Sequence, residues 1–485
     1  MPVAHGLEYG SHRDIAALAF AYLHKESLDI YNRLHSIEED VAFVTSVCSS
    51  YPHLPVLPNL RCGAWYVDPS TARREPAYFK STDGHYGNWS FNLRRPNLHL
   101  LQVALSEGGL IIVDSTRSGK RIPDALSKTV PIWCTVVNRA IRSLNPMTQK
   151  RQWDTALCCP PGVVSSQEMA QIEERIDGWV DSLLASSYVL PDLAFPLKPL
   201  WITPSTTVLP QVTSAALRNY LPVICVSASR SMSEGLERRR NGFAYVPGSG
   251  DDHELWGVGL TPQLFWQHKT VILKAIRSDL PTLVGSLVKE SPSRSRNDCW
   301  TLLPTPIFQV GGSILVGAIS DLPLALPSHL PESGADIAFV LISGNSTSEP
   351  LDDPGFDAPG TVLQLRLSEG KKEQLHFLRN VLPKASTFIG FQLARKAQVC
   401  ICCDSGKDAS AGIALAALQL FFDDAGNFTA TAQQQAALRA SACKQSVRTR
   451  LQWIISSRPQ VNPSRVTLKR VNEFILSSPD FRRQR

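Results

Sequence analysis

The chain has 485 residues, 43% hydrophobic and 19% charged, an ordinary globular balance with length for roughly two or three domains. Its 49 Lys and Arg against 43 Asp and Glu leave a net charge of only +6, so any charge-driven function must come from local clusters. No apolar run approaches the length of a membrane span, and eleven cysteines without a paired C-x-x-C framework argue against structural zinc and for reduced, mostly buried thiols.

Met1 to Glu26 lacks the basic start and apolar core of a signal peptide, so a cytoplasmic protein is expected. Asp14 to Leu34 predicts two apolar-faced helices, and Leu60 to Val67 a strand. Leu98 to Val113 predicts a helix that passes through a Gly108-Gly109 break into the strand Leu110 to Val113. Val223 to Val226 is a short buried strand ending in Ser227-Ala228-Ser229-Arg230. Helices and strands alternate, which predicts an α/β fold. Glu290 to Asp298 is polar and contains Ser-Pro-Ser-Arg-Ser-Arg, so the expected division is a domain over 1–290, a linker over 291–304 and a second domain over 305–485. Within the latter, Ile314 to Val316, Ile337 to Ile342 and Val362 to Leu367 predict strands and Lys372 to Lys396 a helix. Next come the strand Val399 to Cys402, a Gly-containing loop and a helix reaching Phe422. Asn462-Pro463-Ser464 opens the last helix with a capping residue and a first-turn proline.

Four constellations carry chemistry. In Val399 to Ser410, followed by the apolar run Ala411 to Phe422, a strand feeds a loop and the loop feeds a helix. That order aims backbone N–H groups and the positive helix end at one point, which suits a phosphate. Lys407 adds a point charge. Asp404 and Asp408 suit a bare anion poorly, but suit one that carries a divalent metal between carboxylate and phosphate oxygens. The bland alternative is a degenerate loop with buried cysteines. In Ile111 to Arg121 a strand again runs into hydroxyls, glycine and basic residues, including Thr116, Arg117, Lys120 and Arg121, as a phosphate site or a basic surface loop would. It weakly resembles the loop of classical phosphoribosyltransferases, without their second acid and Thr-Gly-Gly turn. Lys80 to Phe91 interleaves polar groups with aromatics that can stack a base, and His85 could take a hydroxyl proton or simply be hydrogen-bonded. Tyr245 to Trp256 sets Asp251, Asp252 and His253 after two glycines, as a metal or base site or a polar turn.

The 403–410 loop also resembles the signature of cysteine-dependent phosphatases. Cys403 falls on the nucleophile, Gly406 on the loop glycine and Ser410 on the last hydroxyl, whereas Ala409 falls where the phosphate-clamping arginine belongs. Without that arginine, phosphate and transition-state charge are not held bidentately. The succession from Pro306 to Pro479 resembles a dual-specificity phosphatase domain.

Lys80 to Asn97, Asp114 to Cys134, Tyr245 to Trp256 and Cys403 to Ser410 occur in that order. In this combination the chain resembles the initiator-tRNA phosphoribosyltransferases of fungi and plants over nearly its whole length. The resemblance implies a family-specific N-terminal α/β domain and a C-terminal phosphatase-like α/β domain. It implies transfer of 5-phosphoribosyl from phosphoribosyl pyrophosphate to the 2′-hydroxyl of the T-stem adenosine at position sixty-four of initiator methionine tRNA. The added phosphate would keep the initiator out of elongation. Neither a membrane nor an obligatory protein partner is expected.

On this reading Asp404, Ser405, Gly406, Lys407, Asp408 and Ser410, with Thr116, Arg117, Lys120 and Arg121, bind the donor. Asp404 and Asp408 hold Mg²⁺, and the catalytic candidates are Lys407, Asp408, Asp83, His85 and Asp251. The uneven basic clusters, with Arg94, Arg95, Arg238, Arg239, Arg448, Arg450, Lys469 and Arg470, are expected to face tRNA. The alternatives are a phosphatase acting on phosphorylated RNA or protein and a non-catalytic tRNA-binding protein with a degenerate phosphatase fold.

Overall fold

A computed structural model describes residues 12–60, 62–73, 75–116, 120–145, 153–212, 219–232, 237–240, 242–290, 304–323, 326–329, 336–344, 360–368 and 373–476. The expected linker therefore lies outside the described residues apart from Pro304. The chain forms two compact units. The first comprises residues 1–92, 97–181 and 191–293, and the second 93–96, 182–190 and 294–485. Two short segments of the N-terminal half thus belong to the second unit, a division that a single linker does not anticipate.

In the first unit, helices α1 (His12–Leu28) and α2 (Ile30–Ser49) precede strand β1 (Val56–Pro58). Helix α3 (His99–Glu107) then leads to β2 (Leu110–Asp114), and α4 (Val130–Leu144) and α5 (Ser166–Leu184) to β3 (Leu197–Ile202) and β4 (Leu221–Ser227). The sheet is parallel throughout, in the order β1-β2-β4-β3, with Ile111 opposite Val56 and Ile224. Strands β2 and β4 are buried along their whole length, which is why both read as unbroken apolar runs rather than alternating ones. Gly108 ends α3 in the left-handed region (φ +73°), the turn that swings the chain into β2. The strand expected over Leu60 to Val67 does not form. Only Val56–Pro58 pairs, and Gly63–Trp65 is a 3₁₀ turn with the Gly63 N–H on Asn59 O. Trp65, Tyr66 and Val67 are apolar because they enter the core from that turn, where Trp65 meets Trp256 and Phe265 at 5.4 and 5.8 Å. A hairpin, β5 (Glu237–Arg238) and β6 (Ala244–Tyr245), and helices α6 (Pro262–Lys274) and α7 (Leu280–Glu290) complete the unit.

In the second unit, β7 (Thr305–Pro306), β8 (Ile314–Ala318), β9 (Ile337–Ser343), β10 (Val362–Arg366) and β11 (Gln398–Cys403) form a sheet ordered β10-β9-β11-β8-β7. All pairs are parallel except β7 with β8. Helix α8 (Leu382–Ala394), entered through a π-turn at Phe377–Val381, precedes β11, and α9 (Ala409–Phe421) follows it. Every residue of α9 from Ser410 on is buried, as an Ala/Leu helix without a polar face requires. Around it lie α10 (Ala432–Ser441), α11 (Lys444–Ser457) and α12 (Arg465–Leu476). Pro463 precedes the cap of α12 instead of standing in its first turn, and Ser464 Oγ accepts the Thr467 N–H at 3.0 Å. Tyr188 packs on this core and donates to Leu93 O at 2.6 Å, while Ser187 donates twice to Gln452 Oε1. Among the described residues no helix is long and apolar enough to cross a membrane.

Arg450, expected to face tRNA, is instead a core residue, 1% exposed. It donates to Phe422 O at 3.1 Å and Asp424 at 2.5 Å and lies over Trp453. The signal was in its spacing: Val447, Arg450, Leu451 and Ile454 share one helical face. Arg450→Met should lower stability by about 1–3 kcal/mol through loss of charge-assisted hydrogen bonds. Thermal melts check this, and the salt dependence of RNA binding by the folded variant should match wild type.

Candidate functional site

Central strand β11 delivers the 403–410 loop to the N-terminus of α9, whose first-turn N–H groups have no intrahelical acceptor. Cys403 is buried with its Sγ 3.1 Å from Ser410 Oγ and 3.9 Å from Ser405 Oγ. Asp404, Ser405 and Lys407 are exposed at the rim, and Asp408 and Ala409 half-buried. Gly406 turns the loop at φ +63°, where a Cβ would stand 2.6 Å from Ala318 N. Ala318 N–H is itself held by Asp321, which pairs with buried Arg458 at 2.8 Å, so the support beneath Gly406 is rigid.

The two loop carboxylates, expected to share a metal, point to different elements. Asp404 Oδ2 accepts the Gly344 N–H at 3.0 Å at the end of β9, and Asp408 Oδ1 accepts the Ser464 N–H at 2.8 Å at the start of α12. Lys407 O accepts the Asn462 N–H at 3.0 Å. Both carboxylates thereby latch the loop to its surroundings, each through one oxygen. Among the described residues no three His, Cys, Asp or Glu side chains form a metal-sized group.

In the first unit, two of the sequence constellations, Ile111 to Arg121 and Tyr245 to Trp256, meet the Ser229 end of β4 beyond the carboxyl ends of β2 and β4, the edge where open α/β sheets take ligands. Ser115 Oγ lies 2.7 Å from Ser229 Oγ, which accepts the Gly248 N–H, while Tyr66 OH accepts the Gly250 N–H. Asp114 accepts from Asn59 and Cys62, and Thr116 is buried beside it. Arg117 lies outside the described residues, and Arg121 is exposed. Asp251 is buried, with its carbonyl holding Arg33 and Trp256 and its Oδ1 accepting the Asp252 N–H. Buried Asp40 of α2, not singled out in the sequence, accepts from Ser229 Oγ at 2.5 Å and Tyr245 OH at 2.6 Å. Burial, the largest influence, pushes its carboxyl up to about 8 against those two hydrogen bonds.

The Lys80 to Phe91 and Asp114 to Cys134 stretches also come together. Gly84 rests on the Asp124 carbonyl, and Asp83 is buried in the same turn. His85, about half exposed, has Nε2 3.7 Å from Asp124 Oδ2. Asp124 pairs with Lys120 at 2.5 Å and Lys128 at 3.0 Å, and Lys128 with Glu168 at 3.1 Å. Burial would raise the Asp124 carboxyl, but the two lysines outweigh it and hold the group below its usual range. Lys128 lies in a π-turn, Ala125–Thr129, whose irregular backbone turns it toward Asp124 and Glu168. Asp124, Lys128 and Glu168 were not picked out from the sequence, because only folding brings 85, 124 and 168 together.

The expected tRNA-facing residues divide. Arg448 and Lys469 are exposed, and exposed Arg238 donates to Tyr22 OH. Arg239 is taken up by Glu39 and Glu237, and Arg470 by Glu473 at 2.8 Å. Arg94 and Arg95 are half-buried, and Arg94 donates to Pro463 O.

Residues 23–289 match the family described as Rit1 N-terminal domain, and residues 361–475 match the Rit1 DUSP-like domain. A Saccharomyces cerevisiae protein named tRNA A64-2′-O-ribosylphosphate transferase is 32% identical over 492 residues, covering 94% of this chain and 93% of its own. An uncharacterized Schizosaccharomyces pombe protein is 36% identical over 473 residues, covering 95% and 97%. Among solved structures, human DUSP28 is 14% identical with a TM-score of 0.23, covering 36% of this chain and 93% of its own. The human tyrosine phosphatase-like serine/threonine/tyrosine-interacting protein is 17% identical with a TM-score of 0.24, covering 35% and 94%.

Gly406→Ala should cost roughly 1–3 kcal/mol in a denaturant melt, from left-handed strain and the clash with β8. Asp40 keeps in the folded state a proton that the unfolded chain releases above 3.8, so its contribution is complete below that value and is lost as pH rises toward about 8. Urea melts from pH 5 to 8 should show this decline, at most about 1.4 kcal/mol per pH unit, and Asp40→Asn should flatten it.

Proposed function

The chain belongs to the Rit1 family, and from that premise we infer that it is a tRNA 2′-O-ribosylphosphate transferase acting on the adenosine at position sixty-four. The observation that carries the reading is the match to the relative so named over 94% of the chain, through both Rit1 domains. The donor is phosphoribosyl pyrophosphate, the acceptor initiator methionine tRNA, and the site of action cytoplasmic. Ala409 supports a transferase over a phosphatase, because the loop keeps its turn and helix N-terminus but lacks the arginine that would hold a transferring phosphoryl group.

The acceptor 2′-oxygen attacks C1 of the donor ribose, the bond from C1 to diphosphate breaks, and the 2′-hydroxyl proton passes to a base. Among Asp83, His85 and Asp251, exposure favours His85, the one candidate that solvent and an RNA ribose can reach. Lys407 and the 404–410 N–H groups hold one phosphate group of the donor, and Lys120 and Arg121 offer exposed charge to tRNA phosphates. Mg²⁺ would come with the diphosphate, and the oxygens of Asp404 and Asp408 not engaged by the Gly344 and Ser464 N–H groups would be the loop's ligands to it.

Protein, Mg²⁺, labelled phosphoribosyl pyrophosphate and tRNA together should move label into initiator tRNA with release of diphosphate. Lys407→Ala should lower kcat/KM for the donor by roughly tenfold or more. Cys403→Ser should retain transfer, its thiol being buried against Ser410. Label entering neither initiator nor elongator tRNA would remove the transferase reading in favour of a binding protein. Loss of transfer in Cys403→Ser with donor binding intact would mean thiol chemistry instead.

A further inference from the structure

An anion-binding loop with two carboxylates and no arginine looks electrostatically wrong. The resolution lies in a residue far away in sequence. The 462–464 segment grips the loop at consecutive positions, through Asn462 N–H on Lys407 O and Ser464 N–H on Asp408 Oδ1. The carbonyl on the other side of that same Pro463–Ser464 peptide accepts the Arg94 guanidinium. Guanidinium, peptide dipole and carboxylate therefore stand in line, positive end to negative end. A cation on the carbonyl polarises the amide and strengthens the N–H that Asp408 receives. One peptide group separates the positive charge from the carboxylate that would otherwise repel an incoming phosphate.

Arg94 is also held where it can do this. Residues 93–96 belong to the second unit although the chain before and after them belongs to the first. Leu93 O is fixed by Tyr188 OH at 2.6 Å, and Tyr188 packs against the α9 core. Arg94 is half-buried, unlike the exposed Arg448 and Lys469.

We propose that Arg94 is a positioning residue for the phosphate-binding loop, supplying through the Pro463–Ser464 peptide the positive charge and bracing that Ala409 does not provide. It is not a tRNA contact. The proposal rests on the reading that the 404–410 loop holds a phosphate group of the donor.

The test uses the full-length protein, with donor affinity from labelled phosphoribosyl pyrophosphate, tRNA affinity at several salt concentrations, and steady-state kinetics. Arg94→Ala should raise the donor KM roughly tenfold, leaving tRNA affinity and its salt slope at wild-type values. Asp408→Ala should weaken donor binding similarly, and Asp408→Asn, which keeps an acceptor for the Ser464 N–H, should recover most of that loss. The double variant Arg94→Ala/Asp408→Ala should bind donor no worse than the poorer single variant, since both act through one peptide. Arg94→Lys, which keeps charge and one donor, gives an intermediate donor KM and stands in if the alanine variant does not fold. Weaker tRNA binding with a shallower salt slope and unchanged donor KM would overturn the proposal, as would additive losses in the double variant. If Lys407→Ala leaves donor binding intact, the loop is not the donor site, and the proposal falls with that reading. If Lys407→Ala weakens the donor while Arg94→Ala does not, the proposal alone falls.

Discussion

Gly406 sits with its α-carbon against the backbone of Gly317 and Ala318, and the curvature of the whole 403–410 turn follows from that contact. A side chain there would push the loop off the end of β8 and away from α9. Because β11 is hydrogen-bonded to both β8 and β9, the strand carrying the loop cannot shift to relieve such a clash. The loop is thus shaped from below by close-packed backbone, and its upper rim of Asp404, Ser405 and Lys407 is left to meet solvent or a ligand.

The molecule manages its carboxylates in three physically distinct ways. Asp408 and Asp404 accept backbone N–H groups of neighbouring segments, so their charge serves to tie the loop down. Asp124 lies between two ammonium groups, one of them buried Lys128, which keeps it ionised and leaves His85 beside a fixed negative charge. Asp40 is buried deeply enough that desolvation outweighs the pull of Arg230 and of its two hydrogen bonds, and it retains a proton within the network of Ser229 and Tyr245. The loop pair follows the end of β11, Asp124 caps a π-turn, and Asp40 reaches from the middle of α2 to Ser229 beyond the end of β4.

Much of this was legible in the chain. The parallel strands β2, β4 and β11 announced themselves as short apolar runs, and the strand-to-loop-to-helix order around Gly406 predicted an anion cradle because backbone geometry follows from local sequence. Misreadings came where one residue property served two purposes. Leu60 to Val67 is apolar because a turn buries Trp65 and Tyr66, not because it extends, and Arg450 counts as a positive charge in a list but is a core side chain on α11. The Gly344 and Ser464 N–H groups that the loop carboxylates meet were not legible, because sequence shows only neighbours along the chain.

The sequence by itself determined the α/β class, the family membership and the loop that lacks an arginine, since these depend on local order and residue identity. The tertiary structure alone decided which charges remain available. Hydrogen-bond partners such as Arg94 with Pro463, Lys128 with Glu168 and Arg450 with Phe422 lie tens to hundreds of residues apart, and an ionic group's role depends on what stands within a few ångströms of it.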